Sequence, residues 1–280
     1  MAPGLDRFWK VIAIPEVGPS LVLDSTMKSL DAAFTVDGSW KRDPDTCNLK
    51  IMNANEATRA YLEANAVIIQ VYAGRVYPPP LIFHGEISDS NSYRDDEFTT
   101  WITEIEADDT KEDFRVTPVP LSFAKGVMLS NVIQLICAGA GIIPDVIIVD
   151  QAITSTLSFV APPRKALQAV CKRYGLRYQI KAGKCVVRDA STPSSVSDFP
   201  VVSYETGLIG VPSVRRENKK LKVMFRHMLE PRLQAGGLCS VVTNSFSRKG
   251  LSKVYFIERV THNSDADEQF DTECECRVYP

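Results

Sequence analysis

Trp101-Ile102-Thr103-Glu104-Ile105-Glu106 and Phe270-Asp271-Thr272-Glu273-Cys274-Glu275 read as one strand written twice. Each alternates apolar or small residues with acids at a period of two, the pattern of a half-buried strand. In the first, Trp101, Thr103, Ile105 and Ala107 share a face; in the second, Phe270, Thr272, Cys274 and Cys276 do. Three further matches accompany this one, whose offset is 169, in the same order along the chain. Leu49-Lys50-Ile51-Met52 matches Leu221-Lys222-Val223-Met224 at 172, Val67–Val71 matches Leu238–Val242 at 171, and Ile82–Ser88 matches Tyr255–Thr261 at 173. Offsets that drift so little over four strands are what changed loop lengths in a duplicated β domain give. The Cys-Glu-Cys run then falls where the first copy has Ile105 and Ala107, so Cys274 and Cys276 read as core side chains and not as metal ligands.

Working outward, Val67–Tyr72, Leu81–Ser88 and Phe98–Ala107 are predicted strands. Asn55–Ala64 reads as a short helix, Pro78-Pro79-Pro80 as a loop at a rim, and Asp89–Glu97 as a polar loop. The middle changes character. Ser130 is placed to cap a helix running to Cys137, stopped by Gly139 and Gly141. Asp145–Asp150 and Ser155–Val160 read as strands. Pro163 opens a second helix that Gly175 closes, and Leu176–Lys181 and Lys184–Arg188 form a hairpin around Ala182-Gly183. Ser191–Ser197 is a linker by composition, after which β texture returns. The expected fold is mainly β with a small α+β insert: a first β domain over 1–113, the insert over 114–190, and a linker with the second β domain over 191–280.

Composition narrows the function. The 280 residues are 45% hydrophobic and 24% charged, as in ordinary globular domains, and Lys+Arg 32 against Asp+Glu 34 gives a net charge of −2. A freestanding nucleic-acid binder carries a basic excess that this chain lacks. No apolar run approaches the roughly 20 residues of a spanning helix, and the N-terminus has an acid before any apolar stretch, so a soluble protein made in the cytosol is expected. Seven cysteines, none at Cys-x-x-Cys spacing, and three histidines, His84, His227 and His262, give no zinc or disulfide pattern. Gly207-Leu208-Ile209-Gly210 is too short for a phosphate loop, and Asp108–Asp113 lacks the central glycine of a calcium loop. Arg215–Lys220 reads as an exposed hairpin tip. No nucleophile elbow, His-Glu-x-x-His or distinct carboxylate pair occurs, so neither an enzyme nor a cofactor is expected.

Three stretches resemble the baseplate hub proteins of contractile-tailed bacteriophages. They are Ala66–Gly74 with Leu81–Ile87; Trp101–Glu106 with Asp108-Asp109; and Glu205–Pro212 with Met228–Leu233 and Val260–Asp265. Ser264 stands where members of that family often have glycine, which bears on the shape of one turn. The resemblance implies two tube-like β-barrel domains per chain and a homotrimer whose six domains mate a six-fold tail tube to a three-fold central spike. It implies tube and spike proteins as partners, with tape measure and wedge proteins beyond them. It also implies passage of DNA without specific binding, no membrane, and a place in the virion tail baseplate after assembly in the host cytoplasm. Because Glu104, Glu106, Glu273 and Glu275 alternate with the core face, they are the candidate channel-lining residues. Two alternatives stand beside this: the hub or spike-loading component of a phage-tail-like secretion system, and a peptidoglycan-binding tail module, which Pro162–Arg188 somewhat resembles.

Overall fold

The computed structural model describes residues 6–27, 29–40, 45–64, 66–95, 100–109, 117–181, 184–189, 199–217, 220–242, 253–265 and 269–279. The expected linker Ser191–Ser197, the turn Ala182-Gly183 and most of Asp108–Asp113 lie outside them. The chain forms two compact units, Met1–Asp108 with Pro193–Pro280, and Asp109–Thr192.

In chain order the elements are β1 (Phe8–Pro15), β2 (Leu21–Asp24), β3 (Asp31–Ser39), β4 (Thr46–Met52), α1 (Glu56–Ala64), β5 (Ala66–Gly74), β6 (Leu81–Arg94) and β7 (Trp101–Asp108). The smaller unit follows with β8 (Val119–Phe123), α2 (Leu129–Ala138), β9 (Ile143–Ile147), β10 (Leu157–Ala161), α3 (Pro163–Arg173), β11 (Leu176–Lys181) and β12 (Lys184–Asp189). The chain closes with β13 (Val201–Val202), β14 (Leu208–Glu217), β15 (Lys220–Met228), β16 (Leu238–Val241), β17 (Lys253–Ser264) and β18 (Phe270–Val278).

The larger unit is one curled, largely antiparallel sheet in half-barrel form, so the expected mainly β fold is what the chain adopts. Its path runs β14-β15-β18-β17-β3-β4-β7-β6-β5-β1-β2. The five strands β3-β4-β7-β6-β5 recur in the same order as β14-β15-β18-β17-β16, and the two sets join where β17 pairs with β3. A bulge marks the same place in each. The register shifts between Ile87 and Asp89 opposite Ala107 and Glu106, and between Ile257 and Arg259 opposite Cys276 and Glu275. Ile105 and Cys274 are thus equivalent, as the alternation predicts.

Three of the other matches need correcting. Leu49 pairs with Ile105 while Phe225 pairs with Cys274, so the counterpart of Leu49 is Phe225, not Leu221. The shared bulge aligns Ile87 with Ile257, and through β6 and β17 it aligns Val71 with Val241. The one-residue change matters because a slip of one exchanges the faces of a strand: Val241 is buried and Val242 exposed. Asp89–Arg94, expected as loop, continues β6, because pairing with β7 satisfies its backbone whatever the polarity of its side chains. The flanking strands differ, since β1 lies antiparallel to β5 and β13 parallel to β16.

Gly85, inside the Ile82–Ile87 stretch, has a steric role. A Cβ there would meet the Asp108 carbonyl oxygen at 2.2 Å and Phe83 Cζ at 2.6 Å.

The smaller unit packs α2 and α3 with a β8–β10 pair and a β11-β12-β9 sheet, in which β12 runs parallel to β9. Pro163 opens α3, and Gly175 adopts φ +67° beyond it, as expected. Ser130, however, is not the cap of α2. The helix starts at Leu129, and Asp150 supplies the acceptor from a distant loop: Ser130 donates its N–H (3.0 Å) and Oγ–H (2.6 Å) to that carboxylate. These bonds hold the Asp150 pKa below its ordinary value.

Replacing Gly85 with alanine forces backbone apart in a packed sheet, and a loss of roughly 1–3 kcal/mol of stability is expected, read from the denaturant midpoint.

Candidate functional site

Alternation along β7 buries Thr103, Ile105 and Ala107 and turns Glu104 and Glu106 to the opposite face; β18 does the same with Cys274 and Cys276 against Glu273 and Glu275. The sheet is continuous, so directly paired residues on one face form rows across both repeats. One row runs Arg226, Glu273, Thr261, Asp37, Thr46, Asp108. Another runs Asp271, Asn263, Thr35, Asn48, Glu106, Asp89. The four glutamates singled out from sequence therefore lie on one polar face, two at each side of the joint.

That face is not uniformly acidic. Lys50 Nζ lies 3.2 Å from Glu104 Oε1, and Lys222 pairs with Glu275 and, at 3.7 Å, with Glu258. Arg277 Nε stands 3.3 Å from Glu258. Glu106 and Glu273 are exposed. Beside Glu273 the face dips into a groove of about 420 Å³ lined by Ile209, Val211, Met224, Arg226, Arg259 and Glu275, among others.

The sequence reading missed Asp271. It belongs to the polar face, yet its side chain is 1% exposed. Arg226 Nε donates to its Oδ2, and Asn263 Nδ2 and Gln269 Nε2 donate to Oδ1, each at 3.3 Å. Burial of a carboxylate needs such partners. An acid in an alternating strand carries no sequence mark of how deeply its neighbours will cover it.

Two histidines are buried on the core face of the second repeat. His262 Nδ1 lies 2.9 Å from Thr272 Oγ1, which also accepts the Glu230 N–H at 3.0 Å. His227 Nδ1 lies 2.6 Å from the Met228 carbonyl, so that nitrogen carries the proton. Burial is the main cause that lowers the His227 pKa; Met228 and Glu230 act against it, and Arg75 and Arg232 with it. All seven cysteines are buried free thiols. Burial raises the Cys274 and Cys276 pKa values, leaving poor nucleophiles. Among the described residues no group of His, Cys, Asp or Glu is arranged to hold a metal, and no helix is long and apolar enough to cross a membrane.

The architecture is shared with tail proteins. The 43 kDa tail protein of prophage MuSo2 from Shewanella oneidensis superposes with a TM-score of 0.68 at 10% identity, over 97% of each chain. A tail protein from Neisseria meningitidis MC58 gives 0.69 at 10% identity, covering 97% of this chain and 98% of its own. The E. coli c3393 protein gives 0.66 at 10% identity, covering 90% of this chain and 74% of its own. It is a type VI secretion system component with structural similarity to the T4 bacteriophage tail proteins gp27 and gp5. No protein-family model and no curated protein matches the sequence. At such identities the likeness is one of fold.

Two measurements probe this region. Arg226→Met strands the buried Asp271 carboxylate, and because Arg226 is itself half exposed a loss of about 1–3 kcal/mol is expected in chemical denaturation. His227 has a folded-state pKa below 6.5, so it contributes stability that is full above pH 6.5 and is lost as pH falls through that value toward the folded pKa. Native melting temperatures should drop over this window, and His227→Gln should flatten that part of the profile.

Proposed function

We propose that this chain is a structural, non-catalytic component of a phage-type tail, and within it the trimeric hub between tail tube and central spike. The observation that carries the reading is the recurrence of one strand order in two repeats fused edge to edge. A chain that presents two similar β surfaces gives six such surfaces as a trimer, the number that a six-fold tube requires of a three-fold partner. The likeness to the MuSo2 prophage tail protein and to the Neisseria meningitidis tail protein over nearly the whole chain supports it. In this reading residues 1–113 and 191–280 are the two tube-forming domains, and 114–190 is an insert between them.

In the assembled ring the continuous polar face turns to the channel. Glu104, Glu106, Glu273 and Glu275 from three chains then ring the bore, with Lys50 beside Glu104 and Lys222 beside Glu275. Such a wall offers phosphates no unopposed basic groove, the reverse of a surface built to hold nucleic acid.

The likeness to the E. coli type VI secretion component favours a second reading, the corresponding hub of a secretion apparatus. Genes for tape measure and sheath beside this one would select the phage reading, and an adjacent effector gene the other.

Light scattering of the purified protein, alone and with spike and tube proteins, is expected to give a trimer; a monodisperse monomer under all of these conditions would overturn the hub assignment. Lysine at all four glutamate positions should leave trimer mass unchanged and slow DNA release from tails, whereas unchanged release would remove these residues from the channel wall.

A further inference from the structure

The joint within the chain has a counterpart that a single chain leaves unmade. At the joint, Arg259–Ser264 of β17 cover the edge of β3. Their equivalents in the first repeat are Asp89–Arg94 of β6. Among the described residues these pair with β7 alone, because β5 reaches no further along β6 than Glu86. The equivalent of β3 is β14, which ends the sheet and has β15 as its one neighbour among the described residues. The two open edges stand seven strands apart along the sheet and do not pair with each other. An exposed edge of this kind is a template for another chain.

The side chains on the two edges are complementary. The register of β17 on β3, carried over, sets Ser90 against Arg216, Asn91 against Arg215, Ser92 against Val214 and Tyr93 against Ser213. On the polar face Asp89 and Glu106 are cross-strand neighbours, both exposed, and neither carboxylate has a partner among the described residues. Arg215, on the same face of β14, is exposed and equally unpartnered. The one like-charge pairing, Asp89 with Glu217, falls at the end of the register, where Lys220 is the cross-strand neighbour of Glu217. On the other face Ser90 has a buried Oγ with no hydrogen-bond partner among the described residues, and Arg216 brings a donor opposite it. Tyr93, 36% exposed, comes opposite Ser213, which lines the groove of about 420 Å³ together with Val211 and Met224.

We propose that the groove takes Tyr93 of a second copy, as the anchor of a contact in which Asp89–Tyr93 of that copy add to the open edge of β14. The phenol ring lies over Ser213 against Val211 and Met224, and Asp89 and Glu106 face Arg215. Main-chain pairing along an edge supplies affinity, and the groove and the charges supply register and choice of partner. A buried tyrosine at the centre of such a contact is the kind of residue that carries most of its energy. The contact is head-to-tail, so it closes into a ring or continues as a filament. Closure at three copies rests on the hub reading; the contact itself does not.

The test uses two single variants of the full chain, Asn91→Cys and Arg215→Cys, treated with a short bismaleimide cross-linker. All seven native thiols are buried, so the new ones react first. A mixture of the two variants should give a covalent dimer, and neither variant alone should. Tyr93→Ala should raise the concentration at which the assembly half-dissociates by at least about tenfold in sedimentation, and Tyr93→Phe, which keeps the ring, should restore it. The denaturant midpoint of the dissociated chain should be the same in all three. Three results would each overturn the proposal: an assembly of trimer mass without the cross-link, unchanged dissociation in Tyr93→Ala, and cross-linking of Arg215→Cys to Val22→Cys, which would place the edge of β2 there instead. The first of these leaves the hub reading standing, whereas a monomer under every condition removes that reading as well.

Discussion

The antiparallel pairing of β17 with β3, Arg259–Ser264 against Ser39–Phe34, is the contact on which the larger unit depends. Each repeat leaves open backbone there, β3 in the first and, in the second, the Arg259–Ser264 part of β17 that lies beyond its pairing with β16, and an uncovered edge is open to wrong association. Pairing the two edges removes both liabilities and fixes the relative rotation of the repeats, because register in a half-buried sheet admits no one-residue slip. Side chains cross the joint in both directions. Trp40, from the first repeat, packs in the core of the second and meets Phe256 edge-on at 5.4 Å. Leu229 and Phe270, from the second, pack in the core of the first, where Phe270 meets Phe34 at 6.4 Å. The repeats are thus halves of one folded body, which is why their residues group together across the 84 that separate them.

This exchange also explains which parts of the repeat were legible in the sequence. β7 and β18 each pair on both sides within their own repeat, so the same alternation of buried and acidic residues is imposed on both, and the equivalence of Ile105 with Cys274 could be read directly. β4 and β15 carry nearly the same four residues, Leu49–Met52 and Leu221–Met224, but an alternating strand matches itself equally well after any even shift, and only partners across the ladder decide. The bulges after Ile87 and Ile257 insert a residue that no local pattern announces. β1 had no counterpart with which to be aligned, since the second repeat places the parallel β13 there.

The site was legible in one respect and hidden in another. That Glu104, Glu106, Glu273 and Glu275 leave the core together follows from a period of two. What surrounds them depends on pairs distant in sequence, such as Lys50 with Glu104 and Lys222 with Glu275. The capping of α2 is similar: Ser130 looks like a cap because serine is common in that role, but the acceptor is Asp150, twenty residues away. Long-range polar partners of this kind leave no periodic trace.

The charge pattern of the polar face has a consequence for any polymer that moves along it. Exposed ion pairs contribute little to stability, typically under about 1 kcal/mol, so Lys50–Glu104 is a weak reason for conserving energy in the fold. Its effect on the local field is larger. A lysine with a carboxylate at 3.2 Å presents a dipole, whose field decays faster with distance than that of a lone cation and is screened within about 8–10 Å at physiological salt. In the proposed channel, a phosphate passing beyond that range meets no sustained attraction from the paired lysines, and nearer the face it meets the exposed Glu106 and Glu273. On that proposal, lysines paired with carboxylates beside exposed acids resist adhesion without a high net charge that would drive the strands apart.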